Sequence, residues 1–127
     1  MMNMEEKVHS WTAKLHFEIA EQKNKEYGLE KDQTKRIALR IVAAQNYFYA
    51  IINWIEAVLA RKEEHSFSHE NRWSRVWENK PVFGEEVFQL FQEVERDQRN
   101  KVAYRGENGP KYENIKKLAY LLEDKYG

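Results

Sequence analysis

The chain has 127 residues, with 21 basic side chains against 21 acidic ones, 42% hydrophobic residues and no cysteine. That length fits one domain, 1–127, able to bury roughly two-thirds of its unfolded surface. The zero net charge excludes a uniformly basic nucleic-acid protein. The missing Cys excludes disulfides and thiolate metal sites and suits a reducing, cytoplasmic setting.

Residues 1–7 are polar and carry Glu5 and Glu6, without the apolar core of a signal peptide. Residues 4–26 predict a first helix with the apolar stripe Val8, Trp11, Leu15 and Ile19, closed by Gly28. His9 and His16 fall on its polar side and read as surface residues. Asp32 is an N-cap candidate for a second helix over 33–62. Its main stripe is Ile37, Ile41, Ala44, Phe48, Ile51, Ile55 and Val58. Leu39, Val42, Tyr49, Ile52 and Leu59 add a second stripe, so partners are expected on both sides. The run 37–60 contains Arg40, Gln45, Asn46, Asn53 and Glu56, which is too polar for a membrane span.

Residues 65–68 read as a loop. A short third helix follows, capped by Ser68 and ending before Pro81. Trp73 and Trp77, one turn apart, read as core or interface anchors, with base stacking as the alternative. Gly84 precedes a fourth helix over 85–101, whose buried face is Val87, Leu90, Phe91, Val94 and Gln98. Pro110 starts the last helix, 111–125, with Tyr112, Ile115, Ala119 and Leu122 on one face. No segment alternates like a strand. The fold class is all-α, an up-and-down bundle of four to five helices.

The most chemical stretch is Arg99-Asn100-Lys101-Val102-Ala103-Tyr104-Arg105-Gly106. Arg99, Ala103 and Tyr104 share a helix face, so a guanidinium, an amide and a phenol can gather around a phosphate or a nucleotide. Arg96, Lys101 and Arg105 add charge. Residues 96–117 hold seven basic and three acidic side chains, enough to attract a phosphate backbone locally. The same residues also suit a plain helix end, where Asn and Gly favour termination and Arg complements the dipole. His65 and His69 are four apart but are separated by a loop without an obvious third ligand, so no metal and no cofactor is expected. His69 reads as a cap or as a residue reaching toward the same cleft. Tyr47, Tyr49, Asn53 and Trp54 crowd a helix already rich in core residues. Some of them should face a second subunit, with Asn46 and Asn53 pairing across a two-fold axis.

Residues 47–59 (Tyr-Phe-Tyr-Ala-Ile-Ile-Asn-Trp-Ile-Glu-Ala-Val-Leu) resemble the aromatic-rich second helix of HEPN domains. The His-containing loop 65–69, the short helix and the Arg99-Asn100…Tyr104 step follow in the order seen in that family. The resemblance covers about residues 36–126. It implies a HEPN-like bundle that forms a homodimer and binds RNA or nucleotide at the dimer cleft. Arg99 would hold phosphate, with Asn100 as its polar neighbour, in a toxin–antitoxin or defence setting beside a nucleotidyltransferase partner. Tyr104 stands where the ribonuclease members keep a His. A tyrosine, with a reference pKa of about 10, is a poor general base at neutral pH. The resemblance therefore implies binding ahead of cleavage, and any cleavage would be that of a metal-independent endoribonuclease. The alternative is a non-catalytic helical interaction module that docks a protein through its aromatic surface.

Overall fold

The computed structural model describes residues 2–62, 69–99 and 109–127; at 69, 70, 97–99 and 109 the backbone alone is described. Six α-helices and no strand occur among the described residues: α1 (Met4–Leu29), α2 (Gln33–Arg61), α3 (His69–Glu78), α4 (Lys80–Phe83), α5 (Glu85–Arg99) and α6 (Gly109–Tyr126). No helix among them is long and apolar enough to cross a membrane.

Local chemistry sets most boundaries. The Asn3 side chain accepts from the Glu6 N–H at 2.7 Å and donates to the Ala60 carbonyl at 3.0 Å, so the cap of α1 is also a tie to the end of α2. Asp32 caps α2 by accepting from the Lys35 N–H at 2.9 Å. Gly28 does not stop α1, which continues to Leu29. The extra turn is held by Tyr27, whose ring packs edge-on against Tyr112 and under the Arg36 guanidinium at 4.3 Å. Pro81 does not simply end α3. Asn79 breaks the helix there by donating back to the Arg75 carbonyl at 2.8 Å and accepting from Lys62 Nζ at 2.7 Å. Pro81 then sits in the first turn of α4, where its missing N–H costs nothing. That extra turn makes six helices where the sequence suggested at most five. Gly84, at φ +94°, joins α4 to α5 in a backbone conformation that side chains with a Cβ rarely adopt.

Three pairs of contacts fix the directions of the long helices. His9 meets Asn53 and His16 meets Asn46, so seven residues up α1 is seven residues down α2, and the two are antiparallel. Asn24 meets Tyr112 and Phe17 meets Tyr120, so α6 is antiparallel to α1. Lys125 donates to the Phe83 carbonyl and Lys117 faces Glu86, so α5 runs back along α6. The core gathers along α2, where Tyr47, Phe48, Ile51, Trp54, Ile55, Val58 and Leu59 are buried. Phe83, Val87, Phe91, Val94, Tyr112, Ile115, Leu118 and Leu122 complete it.

The α1–α2 seam reverses what the apolar stripe of α1 suggested. Val8, Trp11, Leu15 and Ile19 all face outward, with Trp11 59% and Leu15 53% exposed. The apolar residues of α1 that are fully buried are small, Ala13 and Ala20 at 0% exposed, while Phe17 and Tyr27 are partly buried against the core. On α2, Ala43, Ala50 and Ala57 are buried at the same seven-residue spacing. The His–Asn register sets Ala13 near Ala50 and Ala20 near Ala43. Side chains this small let the two helices approach closely along this line, with Phe17 packing against Tyr47 and Trp54 beside it.

Candidate functional site

The first candidate region is where α3, α2 and the last turns of α5 meet. Arg72 donates to Glu95 at 3.0 Å and lies 3.9 Å from Glu56, all three side chains being largely buried. The cluster therefore joins α3 to both α2 and α5. An arginine suits this place because one guanidinium can hydrogen-bond Glu95 while its charge also faces Glu56. Arg99 is the last residue of α5, one turn beyond Glu95. Arg96 is on the surface, paired with Glu93 one turn back on the same helix. Lys116 pairs with Glu113 at 3.6 Å, so part of the basic excess of this end is locally neutralised.

The other predicted site residues divide cleanly. Asn100, Lys101, Tyr104 and Arg105 lie outside the described residues, as do the side chains of Arg99 and His69. Gln98, placed on the buried face of α5, has its side chain outside them too. Of the four residues expected at an interface, Tyr47 and Trp54 are core residues instead. Trp54 packs 5.5 Å from the ring of Phe17. Tyr47 donates to Glu21 at 2.6 Å and is enclosed by Phe17, Tyr112 and Tyr120. Burial, followed by the bond to Glu21, pushes the Tyr47 hydroxyl far above its ordinary pKa of 10.0. Burial raises Tyr112, whose hydroxyl donates to Asn24 at 2.6 Å. These tyrosines are structural donors that tie α6 and α2 to α1. Tyr49 is exposed, and Asn53 is half-buried.

Asn46 and Asn53 do not wait for a second subunit. Their Nδ2 groups donate to the carbonyls of Val42 and Tyr49, one turn back, at 3.0 and 2.9 Å. That orients each Oδ1 toward α1, where Nδ1 of His16 and of His9 lies 3.0 Å away. An amide oxygen can only accept, so each imidazole donates from Nδ1 and keeps Nε2 as its acceptor in the neutral ring. His9 and His16, expected on the surface, are thus half-buried members of a polar ladder. The shared seven-residue spacing of His9/His16, Asn46/Asn53, Ala13/Ala20 and Ala43/Ala50/Ala57 is the sequence signal that could have revealed this seam.

Beside the ladder lies the second candidate region, the outer face of the α1–α2 hairpin. There α1 exposes Met4, Val8, Trp11, Leu15 and Ile19 on its side away from α2, and α2 exposes Val42 and Tyr49 beside the ladder. A third feature is a groove of about 700 Å³ between α1 and α6, bordered by Lys14, Phe17, Glu21, Trp54 and Glu123. Its charges are of both signs. Trp73 and Trp77 are exposed on α3 rather than buried as core anchors. No group of three or more His, Asp or Glu side chains able to hold a metal ion occurs among the described residues.

Comparison of the chain with protein-family models, with curated proteins and with solved structures finds no match.

Proposed function

We propose that this chain is a HEPN-like helical protein that binds RNA or nucleotide where α5 ends, with Arg99 as its phosphate-holding residue. The observation that carries the reading is the pinning of α5 one turn earlier, by Arg72 between Glu95 and Glu56. A buried arginine between two carboxylates adds little net stability of its own. Its consequence is positional: three helices are fixed together beside the Arg99-Asn100 step. A phosphate-binding arginine works best on an element that does not move. Asn100, Lys101 and Arg105 would add polar and charged contacts, with Arg96 and His69 at the edges. Tyr104 would stack on a base or donate to a phosphate. Cleavage is not part of the proposal, because a tyrosine in that position is a poor base at neutral pH. The setting that suits this activity is a cytoplasmic toxin–antitoxin or defence system, with a nucleotidyltransferase as partner.

The test is fluorescence anisotropy with a single-stranded RNA and with ATP, across a salt series. Wild type should bind, and Arg99→Ala should weaken binding and lower the salt slope by about one. Asn100→Ala should weaken binding without changing the slope. Equal, negligible binding by wild type and both variants retires the reading.

The exposure of Trp73 and Trp77 favours a second reading, a helical interaction module docking another protein through α3. It differs in outcome: Trp77→Ala would abolish capture of the partner while Arg99→Ala left it intact.

A further inference from the structure

We infer that the groove between α1 and α6 binds a small organic ammonium ion that carries an acceptor oxygen. The inference stands apart from the α5 end and uses none of its residues. The groove holds about 700 Å³, within the range of roughly 300–1,000 Å³ typical of small-molecule sites. Residues three and four apart on α1 line one side of it, Phe17 among them, and Glu123 borders it from α6. Trp54 reaches it from α2, its ring 5.5 Å from that of Phe17.

Three features define the ligand. First, Trp54 is 1% exposed and its indole N–H has no hydrogen-bond partner. A buried indole ordinarily finds an acceptor, and an oxygen of a molecule seated in the groove is the one it lacks. Second, the charge beside Phe17 and Trp54 is acidic. Glu18, Glu21 and Glu123 border the groove against Lys14 and Lys25. Glu21 already accepts from the Tyr47 hydroxyl at 2.6 Å. Among the described residues no cation pairs with Glu18 or Glu123. The Lys14 ammonium lies 5.0 Å over the ring of Trp11, which does not border the groove. Third, Phe17 supplies an aromatic ring, and a ring face attracts a cation. A cation on Phe17 would meet Glu18, the next residue of α1, and Glu123, three residues beyond the Tyr120 that packs on Phe17. Its oxygen would then accept from Trp54.

The probe is choline, a quaternary ammonium with one hydroxyl, titrated into the full chain. The protein has four tryptophans, so nuclear magnetic resonance shows four indole N–H signals, and Trp54→Phe identifies one of them. Choline should shift the Trp54 signal and leave those of Trp73 and Trp77 in place, with a Kd of about 1 mM. Neohexyl alcohol, its uncharged isostere, should bind about fivefold more weakly. Glu18 and Glu123 are exposed, so their glutamine variants test the site without touching the core. Glu18→Gln and Glu123→Gln should each weaken choline binding by about two- to fivefold, the worth of an exposed ion pair, and leave the isostere unaffected. Trp54→Phe keeps an aromatic ring and removes the N–H. By calorimetry it should weaken choline but not tetramethylammonium, which has no oxygen. A Trp54 signal unmoved by choline overturns the inference, as does choline affinity unchanged in both glutamine variants. An isostere that binds as tightly as choline overturns the role of charge. Equal losses of choline and tetramethylammonium in Trp54→Phe overturn the role of the indole N–H. Betaine, which carries a carboxylate in place of the hydroxyl, should bind more weakly than choline. Tighter binding of betaine would overturn the cationic class in favour of a zwitterion held by Lys14 and Lys25. RNA enters none of these measurements, so this inference and the α5 reading fail separately.

Discussion

The imidazole of His16 donates from Nδ1 to the amide oxygen of Asn46 at 3.0 Å, and its ring lies 5.2 Å from that of Tyr49. One side chain of α1 therefore meets two side chains of α2, one polar and one aromatic. Below this contact lies the alanine seam, and above it lies the exposed apolar face. Four consequences of the packing can be measured.

The inward alanines should be less tolerant than the outward leucine. Ala13→Leu forces three carbons into a closed seam and should destabilise the fold by about 1–3 kcal/mol. Leu15→Ala should cost less than about 0.5 kcal/mol, because the side chain is 53% exposed. Urea denaturation at low protein concentration compares the two. The opposite order would mean that α1 packs with its large side chains inward.

Arg72 holds two carboxylates that have little access to water. Arg72→Ala leaves Glu95 buried without this donor and should cost about 3 kcal/mol. Adding Glu95→Gln to Arg72→Ala should recover part of that loss, because a neutral amide is cheaper to bury than a carboxylate that has lost its arginine. A double-mutant cycle by chemical denaturation would measure the coupling. Strictly additive costs would show that the pair is not coupled.

Gly84 sits at φ +94° and ψ +157° between α4 and α5. An added Cβ would also approach Lys125 Nζ at 3.3 Å, and that ammonium is bonded to the Phe83 carbonyl. Gly84→Ala should therefore lower stability by about 1–3 kcal/mol, read as a fall in Tm. An unchanged Tm would mean that the joint relaxes freely.

Tyr47, Tyr112 and Tyr120 all have pKa values raised in the folded chain, chiefly by burial. In the unfolded chain they titrate near 10. Above that pH the unfolded state releases protons that the folded state keeps, so stability is complete below about pH 10 and falls as pH rises further. Phenolate absorbance from the buried tyrosines should appear together with loss of helical circular dichroism. Tyr47→Phe should make the alkaline decline shallower, and it should also cost about 1 kcal/mol at neutral pH through loss of the bond to Glu21. Phenolate absorbance equal to all seven tyrosines, complete ahead of unfolding, would contradict this.

Much of the architecture is legible in the chain. Asp32 caps the second helix where its side chain can reach the Lys35 N–H, and that is a local matter. The faces Val87/Phe91/Val94 and Tyr112/Ile115/Ala119/Leu122 are buried as their spacing predicts. Gly28 was misleading because glycine only permits a stop. Tyr27, held by Arg36 and Tyr112, keeps the helix going for another turn. Pro81 was half-informative because proline breaks a helix interior yet suits a first turn, and periodicity does not say which turn it occupies.

Residue type and spacing, then, determine that this chain is helical, roughly where each helix starts, and which end carries the Arg-Asn step. They do not determine which side of α1 faces inward. Two stripes compete along that helix, one of large apolar residues and one of alanine with histidine. Burial area alone favours the first. The tertiary structure chose the second, because α2 offers its own alanines at matching spacing and two asparagines turned to receive the histidines. Close backbone approach and satisfied polar groups outweigh side-chain size at that seam. The large residues are left outside, exposed to solvent.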